Sequence, residues 1–199
     1  MQTEIEVKFL GIDHDAVRTR LKKIGAKCAH PMRQLQRVNM DFPDNRLEER
    51  GGWVRIRTNG PKTALAYKQL EDWTLHGVKE VEVEVSDFAD TQKLLEGIGL
   101  VVRSYQETKR ETWRHKGAEI VLDEWPWVRS FMEIEGISEE NVRQVASELG
   151  LDWKDAVFGS VEPVYIAEFD ITEKEFYTLD HMTFKSPIPD WLKARTRAL

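Results

Sequence analysis

At 199 residues, 41% hydrophobic and 32% charged, the chain has the size and composition of one globular domain able to bury a sizeable core. Its formal net charge of −6 argues against generic nucleic-acid binding and leaves room only for a local basic site. Cys28 is the single cysteine, so an internal disulfide is excluded and a reducing compartment fits. No apolar run reaches membrane-spanning length, and acidic residues stand where a secretory leader would be basic; a cytoplasmic location with no membrane partner is expected.

The first element is EIEVK (4–8), a strict alternation that places Glu4, Glu6 and Lys8 on one face of a strand and Ile5, Val7 and Phe9 on the other. HDAVRTRLKKIGAK (14–27) follows as an amphipathic helix with Val17, Leu21 and Ile24 on one face and Gly25 as its stop. A turn-rich stretch, MDFPDNRLEERGG (40–52), leads into WVRIR (53–57), which aligns Arg55 and Arg57 opposite Val54 and Ile56. TALAYKQ (63–69) reads as a strand carrying Lys68, and KEVEVEV (79–85) as one with Glu80, Glu82 and Glu84 on a single face. A second helix spans 87–100, capped by Asp87 and stopped by Gly99. QETKRETWRH (106–115) and GAEIVLDEW (117–125) form a hairpin turning at Lys116-Gly117. FMEIEG (131–136) sets Glu133 and Glu135 opposite Met132 and Ile134, and a third helix, 138–151, begins at Ser138 and ends at Gly150. Residues 159–199 are less regular, with a loop at Pro187 and Pro189 and a short basic helix at the end.

An acidic strand followed by an amphipathic helix therefore occurs three times, a weak internal repetition. A charged strand face is ordinarily just the solvated side of a sheet. Here acidic and basic rows recur on strand after strand, always opposite apolar rows, and like charges directly across neighbouring strands are destabilising. A sheet rolled into a barrel with its charged face inward and helices covering the apolar outside resolves the conflict. Carboxylates crowded inside call for a hard divalent cation, and several arginines and lysines beside them call for a polyphosphate.

The ordered set ExExK near the start, RIR, YK, EVEVEV, KRE, LDE and EIEG resembles the CYTH superfamily, the triphosphate tunnel metalloenzymes, over roughly residues 3–150. That family includes class IV adenylate cyclases, thiamine triphosphatases, inorganic triphosphatases and fungal RNA triphosphatases. The resemblance implies an α+β fold: an eight-stranded antiparallel β-barrel, or tunnel, with a charged interior and helices packed outside. It implies that Lys8, Arg55, Arg57, Lys68 and Arg110 grip a triphosphate, that Glu4, Glu6, Glu82, Asp123, Glu133 and Glu135 help hold Mg²⁺ or Mn²⁺, and that Glu4, Glu6, Lys8 and Arg57 are the catalytic set. Two departures stand out. Thr108 occupies the place where a lysine is common, with Lys109 of opposite parity and Arg103 as a substitute; Asn39 and Met40 replace a frequent aromatic pair before Asp41.

The expected organisation is one domain over 1–199, with a core of about 3–170 and a less certain tail over 171–199. The expected function is divalent-metal-dependent hydrolysis of a triphosphate-containing small molecule, with adenylate cyclase as the alternative, since both chemistries use the same charged residues. A homodimer through the third helix and the tail is compatible with the sequence. The five histidines show no zinc spacing. The tryptophans read as packing residues, with Trp125 and Trp127 placed to edge a tunnel mouth.

Overall fold

In the computed structural model the described residues are 1–198, the Asn59 side chain apart; Leu199 lies outside them. The N-terminal segment forms β1 (Gln2–Thr3) and β2 (Glu6–Leu10). The later strands are β3 (Lys27–Asp41), β4 (Gly52–Asn59), β5 (Lys62–Leu70), β6 (Val78–Val85), β7 (Val101–His115), β8 (Ala118–Glu124), β9 (Phe131–Glu135) and the short β10 (His181–Met182). Their order is β1-β6-β5-β4-β3-β7-β8-β9-β2, antiparallel throughout, with β10 parallel to β7 off this path. The two ends of that order are consecutive in the chain. Gln2 and Thr3 pair with β6, Glu4 N–H donates to Val78 O at 2.9 Å, and from Glu6 onward the same segment pairs with β9. One N-terminal strand thus bridges both edges, and the sheet curls into the expected eight-stranded tunnel.

Helices α1 (His14–Lys23), α2 (Phe88–Gly97) and α3 (Glu139–Glu148) lie outside it. Their caps are those legible in the sequence: Asp87 accepts from Asp90 N–H at 2.8 Å and Ser138 from Asn141 N–H at 3.1 Å. Val17 and Leu21 of α1 and Val142, Val145 and Leu149 of α3 pack in one core with the outward residues Val7, Phe9, Trp113, Ile120, Leu122, Met132 and Ile134. Leu95 of α2 joins Val38, Met40 and Ile56 on the opposite flank. The apolar core is therefore a coat around the barrel, and the interior is left to charge.

Two strands depart from the sequence reading, which contains no strand over 28–39 and starts the long hairpin arm near 106. β3 is 15 residues long although Pro31 interrupts it and its register against β7 shifts between Cys28 and His30 and again before Arg33. β7 starts at Val101 rather than near 106, because a bulge at Arg103 opposite Asn39/Met40 breaks the alternation there.

Apolar residues between 161 and 192 pack as a third cluster. It joins Val164, Tyr165 and Phe169 of the α4 region (Glu162–Glu168), Phe176 of α5 (Glu173–Phe176), Leu179, Met182 and Leu192 of α6 (Asp190–Lys193) to Trp125 and Phe131. β8 pairs with residues 109–115 of β7, and β10 pairs with Tyr105 and Gln106 just below. The C-terminal segment thus extends the wall where β8 stops. No helix among the described residues is long and apolar enough to cross a membrane.

Candidate active site

A cavity of about 760 Å³ runs through the barrel. Glu4, Glu6, Lys8, Arg55, Arg57, Lys68, Glu82, Arg110, Glu133 and Glu135, all expected from the sequence, line it together. The cause is strand parity: each occupies the inward position of its strand, and its neighbours Val7, Ile56, Met132 and Ile134 point into the outer core. Glu80, on the same row, also lines it, whereas Glu84 at the end of β6 is exposed and pairs with Lys62 at 2.6 Å.

The charges form two chains of alternating sign. In one, Lys8 pairs with Glu6 and, at 3.5 Å, with Glu133; Glu133 accepts from Arg110 at 2.7 Å; Arg110 makes a two-pronged contact with Asp123. In the other, Glu4 accepts from Lys68 at 2.8 Å, and Arg55 joins Glu80 at 2.9 Å to Glu82 at 3.2 Å, with Arg57 at 3.5 Å from Glu82. Small residues make the second chain possible. Ala66 lies between Arg55 and Glu82 across β4, β5 and β6, so long side chains from two strands meet over an inward methyl.

Asp123 has a different place from the one expected of a cation ligand. It is on the inward row, directly opposite Arg110 on β7, but is fully buried with Arg110 as its partner and does not line the cavity. Burial raises its pKa, opposed by Arg110. Lys109 points outward to Glu124 and over Phe184, and Thr108 is the buried inward residue. Arg103 borders the cavity and donates to Phe42 O at 2.6 Å. Trp125 borders the cavity, but Trp127 turns away to donate to Ser186 O at 3.0 Å.

The structure adds two residues the sequence reading missed. Arg37 on β3 stands directly opposite Arg57 and has its guanidinium 3.9 Å from the centre of the Trp125 ring. No ion pair to it exists among the described residues, and its buried Nε has no hydrogen-bond partner. Burial, then Arg55, Arg110 and Arg57, push its pKa well down; burial, Arg55 and Arg110 likewise push Arg57 down to about 10. The alternation Arg37-Val38-Asn39-Met40 was the available signal. The second is Glu119, opposite Glu135 on β8/β9, while Glu6 is opposite Glu135 on β2/β9. Three glutamates therefore form one row across three adjacent strands. Burial, then Glu6, Glu4 and Glu119, push Glu135 up to about 7. For Glu133 burial acts upward, but Arg110 and the lysines outweigh it and hold it at about 2.

A hard cation fits this donor set. All of its atoms are carboxylate oxygens, and burial, then the neighbouring Glu6, Glu4 and Glu119, push Glu135 upward, a cost to its charged form that a divalent ion would relieve. Among the described residues no three acidic or histidine side chains already form a cage, because Glu4 and Glu6 are drawn onto Lys68 and Lys8. Binding a cation there requires those side chains to turn.

The CYTH domain family matches residues 2–155. The chain belongs to that family. Among proteins of curated function none matches it. Solved structures with the same fold include the PH1012 protein of Pyrococcus horikoshii OT3, at 22% identity and TM-score 0.67, covering 81% of this chain and 98% of that one. A proposed adenylate cyclase of Vibrio parahaemolyticus aligns at 19% identity and TM-score 0.71, covering 82% and 97% of the two chains. HpAC1 of Hippeastrum, a proposed adenylyl cyclase with a dominant triphosphatase activity, aligns at 16% identity and TM-score 0.57 over 89% and 95%. The CYTH match ends at residue 155, so the segment that extends the tunnel wall beneath β8 lies past it.

Proposed function

We propose that this CYTH domain is a divalent-metal-dependent phosphohydrolase acting on a triphosphate-containing substrate: inorganic, nucleoside or thiamine triphosphate. The observation that carries the reading is the meeting of Arg37, Arg55, Arg57 and Arg110 in one enclosed space, with Arg37 lacking any ion pair among the described residues. Four guanidinium groups facing one cavity, one of them without an acid, are matched by an anion of high charge between them. Arg37 pairs with Gln106, the next inward residue from Thr108 on β7, so it supplies from the neighbouring strand the cation missing at 108.

Lys8, Arg55, Arg57, Lys68 and Arg110 would bind phosphate oxygens and stabilise the charge that moves to the leaving group. Glu4, Glu6, Glu133 and Glu135, joined by Glu119, would hold Mg²⁺ or Mn²⁺; the buried Asp123 would fix Arg110 in place. The cation would supply neutralisation of phosphate oxygens and a more acidic water. Trading carboxylate contacts for phosphate contacts is built into the site, since Lys8, Lys68 and Arg110 now rest on acids that a divalent ion would claim.

Separation of products after incubation with Mg²⁺ or Mn²⁺ tests the reading. Orthophosphate with a diphosphate, or with pyrophosphate from tripolyphosphate, is the expected result. Cyclic AMP with pyrophosphate from ATP would establish the cyclase instead, and no product from either substrate would defeat both.

A further inference from the structure

β2 pairs with β9 along one edge, and its other edge is met by a segment from far along the chain. Lys8 N–H donates to Val157 O at 2.8 Å, and Val157 N–H donates back to Lys8 O at 2.9 Å. Two residues on, Gly159 O accepts from Lys8 Nζ at 2.7 Å in a buried contact. Residues 157–159 therefore hold Lys8 twice, by its backbone and by its ammonium. Phe158 packs against the outer core, whereas Gly159 lines the cavity.

Trp73, in the turn 71–77 between β5 and β6, is pressed against Gly159. A Cβ on Gly159 would overlap Cε3 and Cζ3 of the indole, and the backbone there has φ +92°, which favours glycine. The turn is pinned on both sides of Trp73. Leu75 is buried in the same core as Val7, and Glu71 N–H donates to Gly77 O at 2.8 Å. Trp73 itself stays 43% exposed, so apolar burial alone does not account for an indole at this place.

An ammonium has three N–H donors. Lys8 directs them among Glu6, Gly159 O and, at 3.5 Å, Glu133. Glu6 and Glu133 are acids that a divalent ion would claim, but a neutral backbone carbonyl is a poor competitor for that ion and stays on the lysine. We propose that Gly159 and Trp73 are positioning residues for Lys8: the indole fixes Gly159, and the Gly159 carbonyl keeps the ammonium aimed into the cavity when its acids turn away. One N–H then remains on the carbonyl and two are free for phosphate oxygens. The proposal rests on the phosphohydrolase reading above, and it places a working part of the site past residue 155, where the CYTH match ends.

Two measurements on the full-length protein test it: tripolyphosphate kinetics with Mg²⁺, and the NMR signal of the Lys8 ammonium, assigned by its loss in Lys8→Met. Trp73→Ala should lower kcat about tenfold with KM within about twofold, and should speed exchange of the Lys8 ammonium protons with water. Trp73→Phe, which keeps a flat ring on Gly159, should restore most of both. Gly159→Ala drives a methyl into the indole and should repeat the Trp73→Ala result, so it serves if that variant fails to fold. An unchanged kcat, a fall in kcat with the Lys8 signal unaltered, or a wild type without a slowly exchanging Lys8 signal would overturn the positioning role. A wild type that turns over no triphosphate, yet whose Lys8 signal responds to Trp73→Ala, would overturn the hydrolase reading and leave the hold on Lys8 in place.

Discussion

Arg37 sits over Trp125, with its guanidinium carbon 3.9 Å from the ring centre, and stands directly across β3/β4 from a second half-buried arginine, Arg57. An indole face accommodates a cation but does not neutralise it. The folded protein without ligand therefore carries an uncompensated charge that destabilises it and attracts anions. Arg37→Met keeps apolar contact with the ring and removes the charge. The expected outcome is a higher melting temperature without ligand and a tripolyphosphate affinity about tenfold or more weaker, both read from thermal shift against ligand concentration. A lower melting temperature with unchanged affinity would make Arg37 a packing residue.

Ala66 is small because Arg55 must pass over it to reach Glu82. Ala66→Leu places a branched side chain between the two, where over-packing costs about 1–3 kcal/mol. Turnover should fall by more than an order of magnitude while urea denaturation stays cooperative, and Ala66→Gly should leave catalysis close to wild type. Unaltered kinetics in the leucine variant would mean that the row from β4 to β6 is not part of the site.

The row Glu119–Glu135–Glu6 gives stability a pH dependence of definite sign. Glu135 is raised from 4.5 to about 7, so between those values the folded state holds more protons than the unfolded chain. Its contribution is full below about 4.5 and is lost as pH rises toward 7. Glu133, held at about 2, acts oppositely: its contribution is present above 4.5 and disappears as pH falls toward 2. Without divalent ions, thermal stability should decline from pH 5 to pH 7.5. Mg²⁺ or Mn²⁺ should raise it more at pH 7.5 than at pH 5, and Glu135→Gln should flatten the decline. A metal effect that is equal at both pH values would contradict the assignment of this row.

Ile56 and Arg57 are neighbours on β4 that face opposite ways, one fully buried against Leu95 and Val38, the other lining the cavity. Ile56→Ala should cost about 2–5 kcal/mol in urea denaturation and leave KM near wild type. Arg57→Gln should show the reverse, a small change in stability and a large fall in kcat/KM. Equal stability losses from the two would mean that the interior charge, like the coat, holds the fold together.

Much of this was legible in the sequence because a closed barrel makes strand parity and chemistry coincide. On β2, β4, β6 and β9 the alternation of acid or arginine with valine or isoleucine runs unbroken, so both the tunnel and the inward residues could be read directly. Legibility failed where alternation failed. Pro31 and shifting register hide β3, and with it Arg37; the Arg103 bulge hides the start of β7. Glu119 sits in a short hairpin arm, and what matters about it, its place opposite Glu135, is a pairing that no single strand displays. Asp123 reads as a cavity acid by parity, yet Arg110 covers it. The C-terminal segment carries no repeating pattern, and its aromatic wall exists only through contacts with Trp125 and Tyr177 made in the folded chain.

Titration calorimetry of tripolyphosphate into the protein, with and without Mg²⁺, tests the central claim most directly, alongside Glu4→Gln and Glu133→Gln. Binding by the wild type that tightens when Mg²⁺ is added, and in each variant binding that persists but no longer responds to Mg²⁺, is the expected result. An interior that fails to bind tripolyphosphate in any condition, or variants whose Mg²⁺ response equals that of the wild type, would contradict it.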